Sequence, residues 1–492
     1  MTMKKDGGVD RLNDLPDDIL GHILSFLPTE EAGRAAVLST RWRYMFANVH
    51  TLSFQDTKDY NFWGDTYTFY SDSEERRSVN GCFLDSVNAA LTCRLRCAGL
   101  ARETSLRALS VGINNYYHWD NNMVQKWVSY ALQQCGQEFH LDLRLHSYDL
   151  CQRGGAAHDD EDREYRRGDR YQSTMGRSLR FPRSLFSCAA LRSLRVADCC
   201  LNPPQVVSWP SLETLHLTTV HDSEETIHRM IASCPRLEDL MLDSCSKVRR
   251  ISVLDKRFRR FSLRCCHAAV SVSLDASELR ELDYRGGVPA ESLFMFHGSL
   301  KIRSCTIDFC GPSLSTEDEL VRFRKFLGNL VAPKHLHLQS WRLGCSIESE
   351  FFTSFPAFSS LQKLELTGHV DRHTTVSAVP RILQQTPNLE VLTLFLKPVY
   401  KESSDAPLEY NLATIPDTPA ILCLRQRLRE VNLVHYQGSD EQRMLANLLL
   451  GNALVLQALC VVFPKASLGL QTRLMNEIKQ MAVRKSAEMI FL

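Results

Sequence analysis

The sequence predicts an α/β protein: a short helical module at the N-terminus, a curved solenoid of strand–turn–helix units, and a C-terminal cap. Three observations predict it. Residues 10–54 carry apolar side chains at helical spacing, punctuated by proline. A pattern L-x-x-L-x-L, with apolar substitutions, recurs from Leu106 to Val461. From Cys423 onward a strand–helix–strand pattern follows before an amphipathic tail.

In the first module, Leu15-Pro16-Asp17-Asp18 opens a helix, because proline fits the first turn and two carboxylates sit where the helix dipole favours them. Ile19, Leu20, Ile23, Leu24 and Leu27 then form one apolar stripe. Pro28 stops the helix, and Thr29 is the expected N-cap of a second that begins with Glu30 and Glu31. Val37, Leu38, Trp42 and Phe46 continue the apolar face through Leu38-Ser39-Thr40-Arg41-Trp42-Arg43. So short a segment makes a tiny core, so burial within the module and burial against a partner compete for the same side chains.

Polar and aromatic text over 56–77 joins this module to the array. Repeat starts at Leu191, Leu212, Leu237, Phe258 and Leu279 are spaced by 21, 25, 21 and 21 residues, inside the leucine-rich-repeat range of roughly 20–29. Cys199, Cys245 and Cys266 each stand eight residues after a repeat start, where such repeats place an Asn or Cys to bond the backbone after the strand. Pro210, Pro235 and Pro387 stand just before strands, where a return segment must stop. One unit cannot bury its own apolar face, so neighbours stack. Within each strand the leucines point inward and the intervening residues outward. The outward set includes Arg195, His216, Asp239, Arg260, Arg264, Asp283 and Arg285, assigned here to target binding, together with Lys363 and Glu365. After Leu279 the spacing loosens, which predicts insertions. The segment 151–180, dense in both charge signs and bearing glycines, predicts a loop interrupting the array.

Residues 444–463 run without a charge. Asn447, Gly451, Asn452 and Gln457 interrupt them, so the expectation is a helix to Leu450, a Gly451-Asn452 C-cap and a strand over 459–463, not a membrane span. Residues 468–490 then form an amphipathic tail with Leu470, Leu474, Ile478 and Met481 on one face.

The order L-P-D-D-I-L, then L-P-T, then V-L-S-T-R-W-R in residues 15–43 resembles the plant F-box. The text L-R-E-V-N-L, M-L-A-N-L-L-L and N-A-L-V-L-Q-A-L over 428–459 resembles the FBD-type region of plant F-box/leucine-rich-repeat proteins. The resemblance implies an N-terminal three-helix F-box, a curved leucine-rich-repeat solenoid and an FBD-like C-terminal cap. The expected boundaries are a disordered tail at 1–9, the F-box at 10–55, a linker and first helix at 56–100, repeats at 101–420 and the cap at 421–492. It also implies binding to the Skp-family adaptor of an SCF ubiquitin ligase and, through it, to cullin and RING subunits. By that carry-over Leu15, Pro16, Ile19, Leu20, Ile23, Val37, Leu38, Ser39 and Trp42 meet the adaptor, while the repeats hold an unknown target protein.

A formal net charge of +1 calls for neither nucleic acid nor an anionic membrane. The first ten residues lack a signal-peptide apolar run, which points to nucleus or cytoplasm. Seventeen cysteines without a C-x-x-C pair read as small buried hydrophobes in a reducing compartment, with no metal and no cofactor expected. The sharpest charge run, 247–264, has eight basic residues against Asp255, and opens an alternative: a sensor holding an anionic small molecule in the solenoid. A non-ligase scaffold is the other alternative. No phosphate loop, H-E-x-x-H helix or G-x-S-x-G elbow occurs, so the chain reads as a non-catalytic subunit.

Overall fold

The computed structural model describes residues 14–35, 40–56, 73–98, 105–113, 121–145, 179, 181–298, 301–310, 317–330, 333–339, 356–369, 373–397, 421–464, 468–482 and 487–492. The expected tail at 1–9 lies outside them, as does nearly all of the charged 151–180 segment. Two compact units divide the chain: Met1–Leu150 with Asp159–Val248, and Cys151–His158 with Arg249–Leu492.

The first unit opens with three helices, α1 (Asp17–Leu24), α2 (Thr29–Ala35) and α3 (Thr40–Met45), and the short turn of helix Phe46–Asn48. Gly21 lets α1 lie against that turn, since a Cβ there would stand 2.6 Å from the Asn48 Cβ. Thr29 corrects the expectation made for it. It is the first helical residue rather than the cap, and its buried hydroxyl accepts from the Ser53 backbone N–H at 2.7 Å. The module is thereby tied to β1 (Thr51–Gln55), which already belongs to the array and pairs in parallel with β2 (Leu106–Ile113). The repeats therefore begin within the segment assigned to the F-box, some fifty residues before the expected start at 101.

Parallel strands follow in rank order, β3 (Cys135–Leu145), β4 (Leu191–Ala197), β5 (Thr214–Thr218) and β6 (Asp239–Asp243), each paired with its predecessor. Their inward residues, among them Leu194, Leu215, Leu217, Leu240 and Leu242, are fully buried. Helix α5 (Asn121–Gln134) packs on β2, and α4 (Ser73–Ala98) packs on α5, α2 and the Phe46–Asn48 turn. Arg94 of α4 is almost wholly buried; it donates from Nε to the Val49 carbonyl at 3.1 Å and from Nη1 to the Tyr130 hydroxyl at 3.1 Å. One guanidinium thus ties the helical module to the first repeat helix.

Five turns after strands use a residue in the left-handed region: Asp198, Thr219, Ser244 and Cys265, seven positions after Leu191, Leu212, Leu237 and Phe258, and His435, seven after Leu428. That conformation is uncommon for side chains other than glycine. It turns the N–H sideways, so Asp198 donates to the Thr218 carbonyl at 3.0 Å and Thr219 to the Asp243 carbonyl at 2.7 Å, each in the next repeat. The residue after it is buried, as Cys199, Val220, Cys245, Cys266 and Tyr436 are. The Cys245 thiol lies 3.5 Å from the Leu217 carbonyl, the backbone contact expected for this position.

Helix α6 (Glu224–Ala232) is capped by Ser223, and Pro235 follows its end as expected. The preceding Asp222 is buried, and its carboxylate accepts from the Leu201 N–H at 2.7 Å and the Asn202 N–H at 2.9 Å of the previous repeat. Replacing it by alanine strands two backbone donors, and the cost is about 2–3 kcal/mol in urea unfolding of the full-length chain. Asp222→Asn, which keeps one acceptor, loses less.

In the second unit the strands β8 (Arg260–Arg264), β10 (Glu281–Gly286), β12 (Ser304–Phe309), β13 (His335–Gln339), β14 (Lys363–His369), β15 (Val391–Lys397), β16 (Glu430–Val434), β17 (Ala458–Val462) and β18 (Glu488–Phe491) pair successively in parallel. Here the return segments depart from expectation. β7 (Arg250–Arg257), β9 (Ser271–Asp275) and β11 (Phe294–His297) form a second parallel sheet where a helical or irregular return was predicted. Ile251-Ser252-Val253 and Ser271-Val272-Ser273-Leu274 have the strand period of two and β-branched residues, which explains the choice. Later returns are helical: α7 (Glu317–Asn329), α8 (His373–Gln384), α9 (Leu422–Gln426) and α10 (Asp440–Asn452).

The C-terminal cap continues the array, with α10 leading to β17, α11 (Leu468–Met481) and β18. Gly451-Asn452 is not a C-cap, because the helix includes both residues and Ala453 is its C-cap. The tail is also more than an amphipathic helix. Leu474 and Ile478 are buried, Leu470 is exposed, and 488–491 returns as a strand. Among the described residues no helix is long and apolar enough to cross a membrane.

Candidate functional site

Two surfaces carry the residues singled out by sequence: the outer face of α1 and the outward rows of the strands. α1 divides its apolar side chains between two faces. Leu20 and Leu24 are fully or almost fully buried within the module. Ile19, Ile23, Phe26 and Leu27 are 43, 38, 75 and 40 % exposed. Their spacing of four, seven and eight residues from Ile19 places them on one side of the helix and its terminal turn. Pro16 is exposed and Leu15 half-buried at the start of that helix. Asp17 accepts from Arg41 of α3 at 2.7 Å, and Arg41 also donates to the Leu15 carbonyl at 2.5 Å, which fixes where the helix begins. His22 packs edge-on against Phe26, with ring centroids 4.8 Å apart.

Two corrections follow. Leu20 belongs to the module's own core and offers no side chain to a partner, because α1 turns it toward the other helices. Phe26, the most exposed large apolar residue of the strip, was missed. It follows Ser25, outside the regular helix, where the stripe seemed to pass from Leu24 to Leu27. Trp42 is half-buried on α3; Val37, Leu38 and Ser39 lie outside the described residues. An exposed apolar strip of this kind is a candidate docking surface.

The assigned strand residues lie on the outward rows, except that Asp239 is buried beside His216, and most of them occur in pairs. In the first unit, His216 Nε2 lies 3.1 Å from Asp239 Oδ1 on the adjacent strand, while Arg195 is exposed on β4. In the second unit, the Arg264 guanidinium meets the Asp283 carboxylate, with Nε at 2.9 Å, and Arg285 Nε lies 3.1 Å from Asp308. Charges therefore alternate along β8, β10 and β12 rather than accumulate. The linear basic run does not form one patch. Arg250, Lys256 and Arg257 lie on β7 in the smaller sheet, Arg260 and Arg264 on β8 in the larger, and Lys256 is buried against Asp255 at 2.7 Å.

A polar cluster on β12–β14 escaped sequence reasoning. Glu365 receives Lys363 Nζ at 2.5 Å, His335 Nε2 at 3.4 Å and His337 Nδ1 at 3.4 Å. Ser304 Oγ lies 3.2 Å from His335 Nδ1, and His337 Nε2 lies 3.1 Å from the Thr367 hydroxyl. The alternation His335-Leu336-His337-Leu338 was the available signal. Burial lowers both imidazole pKa values, and the attraction of Glu365 only partly opposes it. Burial pushes Glu365 up, but the Lys363 hydrogen bond and charge, with both histidines, hold it below the ordinary value. All three groups therefore take up protons less readily when folded, so stability is present above their unfolded values and lost as pH falls through the folded ones. Urea midpoints of the second unit should fall as pH drops from about 6.5, the free histidine value. A His335→Gln, His337→Gln variant should show a flatter decline.

With these surfaces described, comparison with known proteins bears on them directly. The model "F-box domain" matches residues 12–53, from the helices into β1. The model "FBD-associated F-box protein At5g56370, LRR repeats" matches residues 170–304. The chain is similar to the F-box/leucine-rich-repeat proteins of plants. Among its relatives from Arabidopsis thaliana, the putative FBD-associated F-box protein At5g56560 is 26 % identical over 98 % of this chain and 99 % of its own. The F-box/FBD/LRR-repeat protein At5g56420 is 24 % identical over 93 % of this chain and 92 % of its own. A putative F-box/FBD/LRR-repeat protein, At5g22670, is 30 % identical over 47 % of this chain and 40 % of its own. The F-box model ends inside β1, which accounts for the overlap between the helical module and the first strand of the array.

Proposed function

We propose that this chain is the substrate-recognition adaptor of an SCF-type cullin-RING ubiquitin ligase. In this reading Leu15, Pro16, Ile19, Ile23, Phe26 and Leu27 dock a Skp-family adaptor, which brings cullin and RING subunits, and outward strand residues hold a target protein. The observation that carries it is the exposed apolar strip of α1, which lies on the F-box helices and has no use in their core. The chain's contribution is then proximity, raising the effective concentration of a target lysine near the charged thioester, while the covalent chemistry belongs to other subunits. Nucleus and cytoplasm are the compartments this role calls for.

The paired chemistry of the strand faces supports a protein target. Arg264 and Arg285 each already meet a carboxylate, and Asp283 and Asp308 would compete with an anionic small molecule for them. The test is assembly of the purified full-length chain with Skp-type adaptor, followed by cullin. A ternary complex supports the ligase reading, adaptor binding without cullin assembly gives the scaffold, and no adaptor binding rejects both.

A further inference from the structure

Beyond this role, one side-chain cluster in the second unit has the composition of a metal site. Cys265, His267 and Cys310 place Sγ, an imidazole nitrogen and Sγ within 4.8 Å of one another. His267 Nε2 lies 3.5 Å from Cys310 Sγ. A tetrahedral zinc with bonds of about 2.3 Å to sulfur and 2.05 Å to nitrogen has an N···S edge of about 3.6 Å, so the observed separation already fits a shared ion. Both cysteines are nearly buried and His267 is half-exposed, which leaves one side of the cluster open.

The fold explains how residues two strands apart converge. Cys265 follows β8 directly and Cys310 follows β12, on opposite flanks of β10. Their N–H groups both bond to the exit of β10, Cys265 to the Arg285 carbonyl and Cys310 to the Gly286 carbonyl. Adjacent strands are about 4.8 Å apart, so these flanks stand nearly 10 Å apart in the backbone. The exit between them is Gly286-Gly287, which carries no side chain of its own; the Tyr284 hydroxyl donates to the Gly287 carbonyl there at 2.6 Å. Cys265 also occupies the left-handed turn position, where other repeats carry Asp198, Thr219, Ser244 or His435, none of which supplies a thiolate.

We propose that Cys265, His267 and Cys310 bind one zinc ion that joins the turns after β8 and β12 across the exit of β10. Both thiols would lose their protons to solvent and bind as thiolates, the imidazole would bind in its neutral form, and water would take the fourth position.

The test uses the full-length chain with Zn²⁺ and Co²⁺ as probes. The expected result is one zinc retained per chain after dialysis against a weak chelator. Cobalt should give a thiolate charge-transfer band and tetrahedral d–d bands, and zinc removal should lower the thermal midpoint. His267→Gln and Cys310→Ser should each abolish retention, while Cys460→Ser, on β17, should leave it intact. If Cys310→Ser does not fold, His267→Gln decides, since its side chain is only part-buried. A parent that retains no zinc and gives no tetrahedral cobalt spectrum overturns the proposal. So does unchanged retention in His267→Gln, or a Cys265–Cys310 disulfide in the freshly purified chain.

Discussion

Replacing Ile19 and Ile23 together by aspartate is expected to weaken adaptor binding by about two to three orders of magnitude. Each is an exposed apolar residue at the centre of the α1 strip, and central interface residues commonly contribute about 2 kcal/mol each when truncated. A carboxylate forced against an apolar partner surface adds a desolvation penalty to that loss. The thermal midpoint of the free chain should stay where it was, because neither side chain supports the module's core. Calorimetric titration with the adaptor, beside a melt of each protein, separates the two effects. Leu20→Asp gives the contrasting outcome. It places a charge at a fully buried site, so binding and the fold of the module fail together. Unchanged binding by the folded double variant would remove α1 from the interface and with it the adaptor role assigned to this face.

Trp209→Ala is expected to be the most destabilising single change in the first unit, costing about 3–5 kcal/mol. The indole is fully buried, stacks on Phe186 with centroids 5.8 Å apart, and donates to the Leu185 carbonyl at 2.7 Å. Alanine leaves a cavity and an orphaned acceptor in one step. Phenylalanine refills most of the volume but cannot donate, so it should lose the smaller share that belongs to the hydrogen bond. Urea unfolding followed by far-ultraviolet dichroism measures both. Equal losses for the two variants would mean that the bond, not the packing, dominates this position.

Much of this arrangement was legible in the text of the chain. The leucine alternation named the buried residues of β4, β5 and β6 and the outward positions beside them, because strand period alone decides which face a side chain takes. The cysteine eight residues into a repeat was found in the buried turn position for the same local reason. Other features were hidden. Thr29 looks like a cap until β1 comes near enough to donate to it. Leu20 and Ile23 are equivalent on paper, and only the docking of α1 on the Phe46–Asn48 turn, through Gly21, separates core from surface. Arg94 carries no signal in its local sequence, yet it closes the joint between the helical module and α5.

The sequence by itself determined the helical module, the repeat period and the inward faces, since each is written in spacings of a few residues. The tertiary structure alone decided which charges neutralise one another, where the array begins, which returns become strands, and that Cys265, His267 and Cys310 meet. These depend on residues from neighbouring repeats, and the distance between them is set by strand stacking rather than by their separation along the chain.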